Sequence, residues 1–147
     1  MSDDETLPQR SDFPELRTIS TRWGDEDVYG HVNNTVYYSY FDTAVNGFLI
    51  EASGADIRRL HAIGLVVETS CKFLRELHFP GEVEAGLAVT RLGSTSVSYE
   101  IGLFQGDDPS PAGLGSFVHV YVDETTRRPT PVPQVIRMAV DPLLRKG

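Results

Sequence analysis

Residues 24–34, GDEDVYGHVNN, gather the side chains most able to do chemistry. Asp25 and Asp27 stand two positions apart, His31 comes four residues after Asp27, and Asn33 and Asn34 close the segment. A carboxylate beside a reactive carbonyl can attack it directly or take a proton from water. Asp27 lies in a loop with Gly24 and Gly30, just ahead of a helical pattern. Free N–H groups and the positive end of a helix dipole favour an anionic oxygen at such a place. They would polarise a carbonyl and hold the oxyanion that forms on it, so the segment suits acyl transfer. The competing reading is local: both acids form Asx-turns, His31 is hydrogen-bonded within the loop, and one asparagine is an N-cap. A catalytic His31 would move the reaction towards general acid–base work. No G-x-S-x-G nucleophile elbow occurs in the chain.

Other chemistries find less support. The four histidines, at 31, 61, 78 and 119, have no ligand spacing among them, and Cys71 is the only cysteine. Neither a metal, a cofactor nor an intrachain disulfide is expected. Lys and Arg number 13 against 21 Asp and Glu, a net charge of −8 over 147 residues. That balance disfavours nucleic acid and anionic lipid surfaces, both of which demand a basic face. No run approaches the ~20 apolar residues of a membrane span. The acidic start, MSDDETLPQRSDF, has no signal-peptide pattern. A cytoplasmic location is expected, with residues 1–12 a flexible tail and 13–147 a single domain.

The elements that must position the loop follow from periodicity. Residues 15–23 alternate weakly and predict a strand. Residues 34–52 place Tyr37, Tyr40, Phe41, Ala44, Phe48 and Leu49 at spacings of three and four, the pattern of an amphipathic helix. Asn33 or Asn34 would cap its start, and Gly54 suits the left-handed position past its end. Four strands are predicted next. Residues 64–77 set Leu65, Val67, Cys71 and Phe73 on one face. Residues 82–92 do so with Val83, Ala85, Leu87 and Val89, and residues 95–105 with Val97, Tyr99, Ile101 and Leu103. Residues 114–123 do so with Val118, Val120 and Val122. Short turns between them predict a four-strand antiparallel meander. One helix must then cover about five strands in an α+β fold, whose open edges invite pairing with a second copy. The Pro-rich end is expected to form at most a short turn or helix.

The segment 21–44, TRWGDEDVYGHVNNTVYYSYFDTA, resembles the signature of the 4-hydroxybenzoyl-CoA thioesterase family of hotdog acyl-CoA thioesterases. The likeness rests on Asp27, Gly30, the run His31-Val32-Asn33-Asn34, an aromatic at Tyr37 or Tyr38, and Asp42. It extends more loosely over residues 15–134, to VDETTRRPTPVP. The HVNN form looks more like the broad acyl-CoA branch than the aromatic-acyl enzymes. The resemblance implies a hotdog fold, a long helix wrapped by a five-stranded antiparallel sheet, in a homodimer or a dimer of dimers. It implies hydrolysis of an acyl-CoA to free acid and CoA, with Asp27 as nucleophile or general base. Gly30, His31, Asn33, Asn34 and Tyr37 would line the oxyanion site or pocket. In hotdog dimers the start of the strand predicted over 64–77 faces the partner's active loop, which makes Thr69 and Ser70 candidates for the second side of the pocket. The phosphates of CoA need cations, and Lys72, Arg75, Arg91, Arg127 and Arg128 are the candidates, each otherwise a solvated surface charge.

Two alternatives stand beside hydrolysis. One is a non-catalytic acyl-CoA-binding module. The other is an enoyl-CoA hydratase or dehydratase using Asp27 and His31, although the usual Asn-Pro between acid and histidine is missing. Acyl carrier protein is a less fitting carrier than CoA, because an acidic enzyme steers an acidic partner poorly.

Overall fold

The computed structural model describes residues 7–145. Strands β1 (Glu15–Ser20), β2 (Ala62–Phe73), β3 (Glu82–Leu92), β4 (Ser96–Gln105) and β5 (Gly113–Asp123) form one antiparallel sheet. Helix α1 (Asn34–Ser53) covers one face of it, and the short α2 (Gln134–Val140) packs against α1. This is the α+β hotdog arrangement. The Asn33 side chain accepts from the Thr35 N–H, and Gly54 ends α1 with φ of 69°. The predicted aromatic and aliphatic stripe is buried, joined by Val45.

The strand order is β1-β3-β4-β5-β2, which corrects the expected four-strand meander. Only β3, β4 and β5 are hairpin neighbours; β2 pairs with β5 on the far side of the sheet from β1. The predicted strand over 64–77 ends at Phe73 because the following backbone is engaged elsewhere. Leu74 N and Arg75 N both donate to Ala112 O, and Leu77 O accepts from Val32 N at 2.7 Å. Residues 74–81 thus cross from one sheet edge towards the other, pinned midway by the buried Leu77. At the other edge, β1 stops at Ser20, short of the predicted 23, because Thr21 turns to bond Gly81 O and residues 23–25 form a 3-10 turn.

The inward face of β5 is a second correction. Phe117, His119 and Tyr121 face α1 and are buried, while Val118 and Val120 lie on the opposite side. The reason is close approach of the helix. A Cβ on Gly115 would lie 2.3 Å from Phe41 Cε2, and one on Gly113 would lie 2.8 Å from Tyr37 Cδ2. The aromatic rings of α1 need the glycines beneath them, and strand alternation then carries residues 117, 119 and 121 inward. A bulge at Val67 breaks the register of β2. Leu65, Val66 and Val67 on this edge strand are 40%, 45% and 60% exposed, where two of them were expected on a buried face.

On the outer face, Phe13 packs edge-on against Phe104 over Gly86 and Gly102. Of the expected flexible tail, residues 1–6 lie outside the described residues. Arg10–Asp12 form a 3-10 turn, and the Arg10 guanidinium binds Glu84 at 2.7 Å and stands over the Phe104 ring. Among the described residues no helix is long and apolar enough to cross a membrane, and no group of three or more His, Cys, Asp or Glu could hold a metal ion.

His119 is 3% exposed and its Nδ1 has no hydrogen-bond partner. Burial pulls its imidazole pKa down to about 4. The unfolded chain therefore takes up a proton, between about pH 6.5 and 4, that the folded chain refuses. Stability should be full above pH 6.5 and fall across that window by on the order of 3 kcal/mol, read by urea unfolding; a His119→Leu variant should lose that slope. Gly115→Ala should cost on the order of 2 kcal/mol in the same assay, because its methyl group overlaps the Phe41 ring.

Candidate active site

The loop before α1 is held from two sides. Asp25 is 1% exposed and forms its inner anchor. Its carboxylate accepts from Tyr40 OH at 2.8 Å, from Arg22 N at 2.9 Å and from Arg22 Nε at 3.1 Å. Its backbone oxygen accepts from Asn33 N at 2.9 Å, which fixes the N-cap of α1. Burial works against the ionised form of Asp25, but the hydrogen bonds from Arg22 and Tyr40 outweigh it and hold the carboxyl below the usual range. On the outer side, the crossing segment clamps the loop: Phe79 N donates to Glu26 Oε2 at 3.1 Å, and His78 Nδ1 lies 3.2 Å from Gly30 O.

Asp27 sits on the solvent side of this framework, its side chain 22% exposed. Its Oδ1 accepts from Tyr29 N at 2.9 Å, and its backbone N–H donates to His31 O at 3.0 Å. The Asx-turn is therefore real, and Gly30 takes the left-handed φ of 85° that closes the loop. It occupies only one carboxylate oxygen. The other, Oδ2, faces His31 Nδ1 at 3.9 Å. His31 in turn presents Nε2 to Glu76 Oε1 at 3.6 Å, and Glu76 Oε2 stands 3.8 Å from His78 Nε2. Acid and imidazole thus alternate from Asp27 to His78.

His31, Asn34, Tyr37, Phe73, Arg75 and Glu76 line a depression of about 180 Å³ at the start of α1. Asn33 spends its Oδ1 on the helix cap, bonding both Thr35 N and Thr35 Oγ1. Among the described residues nothing accepts from the Asn34 N–H. Tyr37 is 2% exposed, its hydroxyl donates to Arg75 O at 3.0 Å, and burial raises it to about 12. It is chiefly a core residue whose ring reaches the depression.

The remaining candidates divide by place. Arg75 joins the depression and also contacts Pro111 O and Asp108. Thr69 and Ser70 lie mid-strand on β2, with hydroxyls on Ser116 O and Ser116 Oγ. Lys72 and Arg91 are exposed on β2 and β3. Arg127 and Arg128 follow β5, where Asp123 pairs with Ala62 at the opposite end of β2 from Phe73. Within one chain only Arg75 of the five cations stands at the depression. Glu76 and His78 were not anticipated. They belong to the crossing segment, and their only sequence signal was a charged, histidine-bearing stretch before Pro80-Gly81.

Comparison with known proteins places this geometry. The profile of the thioesterase-like superfamily matches residues 21–140, which hold the Asp27 loop, α1 and strands β2 to β5. The chain is similar to the PA5185 protein of Pseudomonas aeruginosa strain PAO1, with 46% identity and a TM-score of 0.91 over 95% of this chain and 98% of that one. It is also similar to the PA2801 protein of Pseudomonas aeruginosa, with 34% identity and a TM-score of 0.79 over 87% and 98%. Slr0204 of Synechocystis, a 1,4-dihydroxy-2-naphthoyl-CoA thioesterase, shares the fold at 15% identity and a TM-score of 0.78, over 85% and 93%. No curated protein matches the chain. Through the segment that builds four of its five strands and its candidate site, the chain belongs to the thioesterase-like superfamily and has the hotdog fold.

Proposed function

We propose that the protein hydrolyses acyl-CoA thioesters to a free acid and CoA, with Asp27 as nucleophile or general base. The observation that supports this most is the divided carboxylate of Asp27, one oxygen tied to Tyr29 N and the other open beside His31. In the first route the open oxygen attacks the thioester carbon, CoA leaves as thiolate, and water opens the resulting mixed anhydride. In the second the carboxylate takes a proton from water as that water's oxygen adds to the carbonyl. Either route builds negative charge on the carbonyl oxygen, and the unpartnered Asn34 N–H at the start of α1 is suited to receive it. His31 stands between Asp27 and Glu76, 3.9 Å and 3.6 Å away, close enough to favour the ionised carboxylates without a direct hydrogen bond to either.

The same reading includes a homodimer through β2. This edge is twelve residues long and exposes Leu65, Val66 and Val67 in a row. A two-fold contact near Val67 pairs the strand antiparallel with its copy and covers the apolar run. Phe73, which packs on Tyr37 with ring centroids 5.0 Å apart, then lies beside the beginning of the partner's β2. The Asp27 loop of each subunit meets the end of the other subunit that carries Arg127 and Arg128. Those two, with Arg75 beside the loop, are the cations proposed for the phosphates of CoA.

Asp27→Asn keeps an acceptor for Tyr29 N, so its melting temperature should stay within a few degrees of wild type. Thiol release from acyl-CoA should nonetheless fall by ~100-fold or more, and full activity in this variant would reject Asp27. Val66→Lys should convert the dimer to monomer in light scattering, with loss of activity. A variant that keeps the dimer mass would show that β2 is not the contact.

A further inference from the structure

A cavity of about 170 Å³ opens at the far end of α1, and Asn46, Leu49, Ile57, Arg58, Leu60 and Ile63 are among its walls. The twelve helical residues from Asn34 to Asn46 put it roughly 18 Å from the start of the helix. Aliphatic side chains there stand beside polar ones. Asp56 Oδ1 lies 3.1 Å from Arg58 Nε and Asp56 Oδ2 lies 3.4 Å from Arg59 Nε. Two guanidinium groups thus share one carboxylate, and this rim keeps an excess of positive charge.

The Asp27 loop offers a counterpart. Gly30 N donates to Asp27 O at 3.2 Å, which leaves Val28 and Tyr29 at the tip of a turn. They are 94% and 80% exposed, a large apolar surface to leave in water. The Tyr29 ring is backed by His31, with centroids 6.3 Å apart and planes 21° from parallel, and is otherwise open to solvent. Acids flank it: Glu26 and Asp27 precede it, and Glu76 stands beside His31.

The β2 contact of the proposed dimer brings these two places together. With the two-fold axis at Val67, antiparallel pairing sets Ile63 opposite the partner's Cys71 and Ala62 opposite the partner's Lys72. The residues that lead into β2, from Ile57 to His61, then run beside the partner's crossing segment. That segment is the one that clamps the loop, through Leu77 O on Val32 N and Glu76 beside His31.

We propose that Tyr29 of each subunit docks in this cavity of the other. A tyrosine suits the mixed lining, since its ring can lie on the aliphatic walls while its hydroxyl end meets Asn46 or Arg58. The size fits as well, because a cavity of ~150 Å³ holds benzene. An acidic turn then meets a rim with excess positive charge. The Tyr29 N–H also holds Asp27 Oδ1, so each cavity steadies the turn that carries the other subunit's Asp27. The proposal rests on the β2 dimer and not on the hydrolytic chemistry.

The test joins the two residues chemically. In a Cys71→Ser background, Tyr29→Cys together with Arg58→Cys should give a covalent dimer with a short bis-maleimide, seen on a denaturing gel. Either cysteine alone should give none, and a link within one chain would leave a monomer band. Dimer mass in light scattering without the covalent band overturns the docking and leaves the dimer standing; a monomeric wild type overturns both. A second measurement follows the dimer by sedimentation over a dilution series. Tyr29→Ala should raise the dissociation constant by ~30-fold or more, and Tyr29→Phe by no more than about threefold. Leu60→Ala should weaken the dimer too, and the double variant by less than the product of the two changes, because residues in contact couple. An unchanged constant in Tyr29→Ala, or a fully multiplicative double variant, overturns the proposal. Cross-linking and coupling as expected in a protein that releases no thiol from acyl-CoA would overturn the thioesterase reading alone.

Discussion

A single buried carboxylate holds the loop to the helix. Asp25 binds Arg22 on one side and Tyr40 on the other, while its own carbonyl fixes the amide of Asn33. Tyr40 lies on the second turn of α1 and Asn33 is the cap of the first. One residue therefore sets both the direction in which the chain enters the helix and the height at which the loop sits above it. Leaving a buried carboxylate without these partners would cost far more than any one of the bonds contributes. Asp27 needs no such burial. Two residues along, on a turn whose position is already set, it keeps one oxygen for the backbone and one for solvent. The neighbouring acids differ in place, Asp25 holding geometry from within and Asp27 standing at the surface of the loop, where the proposed chemistry needs it.

The helix in turn is positioned by the absence of side chains beneath it. Gly113 and Gly115 let Tyr37 and Phe41 come down onto β5, closer than any Cβ would allow. That contact decides which residues of β5 point inward, and so places His119 in the core. It also carries the start of α1 to Phe73 and its later turns to Ile63 and Gly64. The helix thus runs alongside β2 in the opposite direction, its two ends marking the two ends of that edge.

These contacts also separate what was legible in the sequence from what was not. Helix α1 was readable end to end because both its caps and its stripe are local features, written within some twenty residues. Strands β3 and β4 were readable because one face of each is fully buried, and alternation then reports burial directly. Strand β5 defeated the same reasoning. Its valines alternate as well as its aromatic residues do, and the choice between the two faces is made by Tyr37 and Phe41, about seventy positions earlier. The path of β2 was hidden for a related reason. The Phe79-Pro80-Gly81 turn resembles a hairpin locally, but the amides before it bond Ala112 and the loop, partners remote in sequence. Glu76 and His78 reach the Asp27 loop only because of that crossing. Asp27 was legible as a candidate because its signature is local, and its Asx-turn uses one carboxylate oxygen while leaving the other for the role proposed.

The edge strand joins these two halves. An antiparallel sheet that offers a long, apolar, unpaired edge gains hydrogen bonds and buried surface by meeting its copy. For most folds that contact would be remote from the chemistry. Here the helix beside β2 runs the length of the edge with the Asp27 loop at one end and a cavity of mixed aliphatic and polar lining at the other. In the proposed dimer, a two-fold axis through the middle of the strand would exchange those ends. Neither the glycine contacts that tilt the helix onto β5 nor the Asp25 anchor involves the partner, so each half is completed within its own chain. If β2 pairs as proposed, assembly brings together two surfaces each completed within its own chain, which is why a change in the middle of β2 should separate the subunits while leaving each one folded.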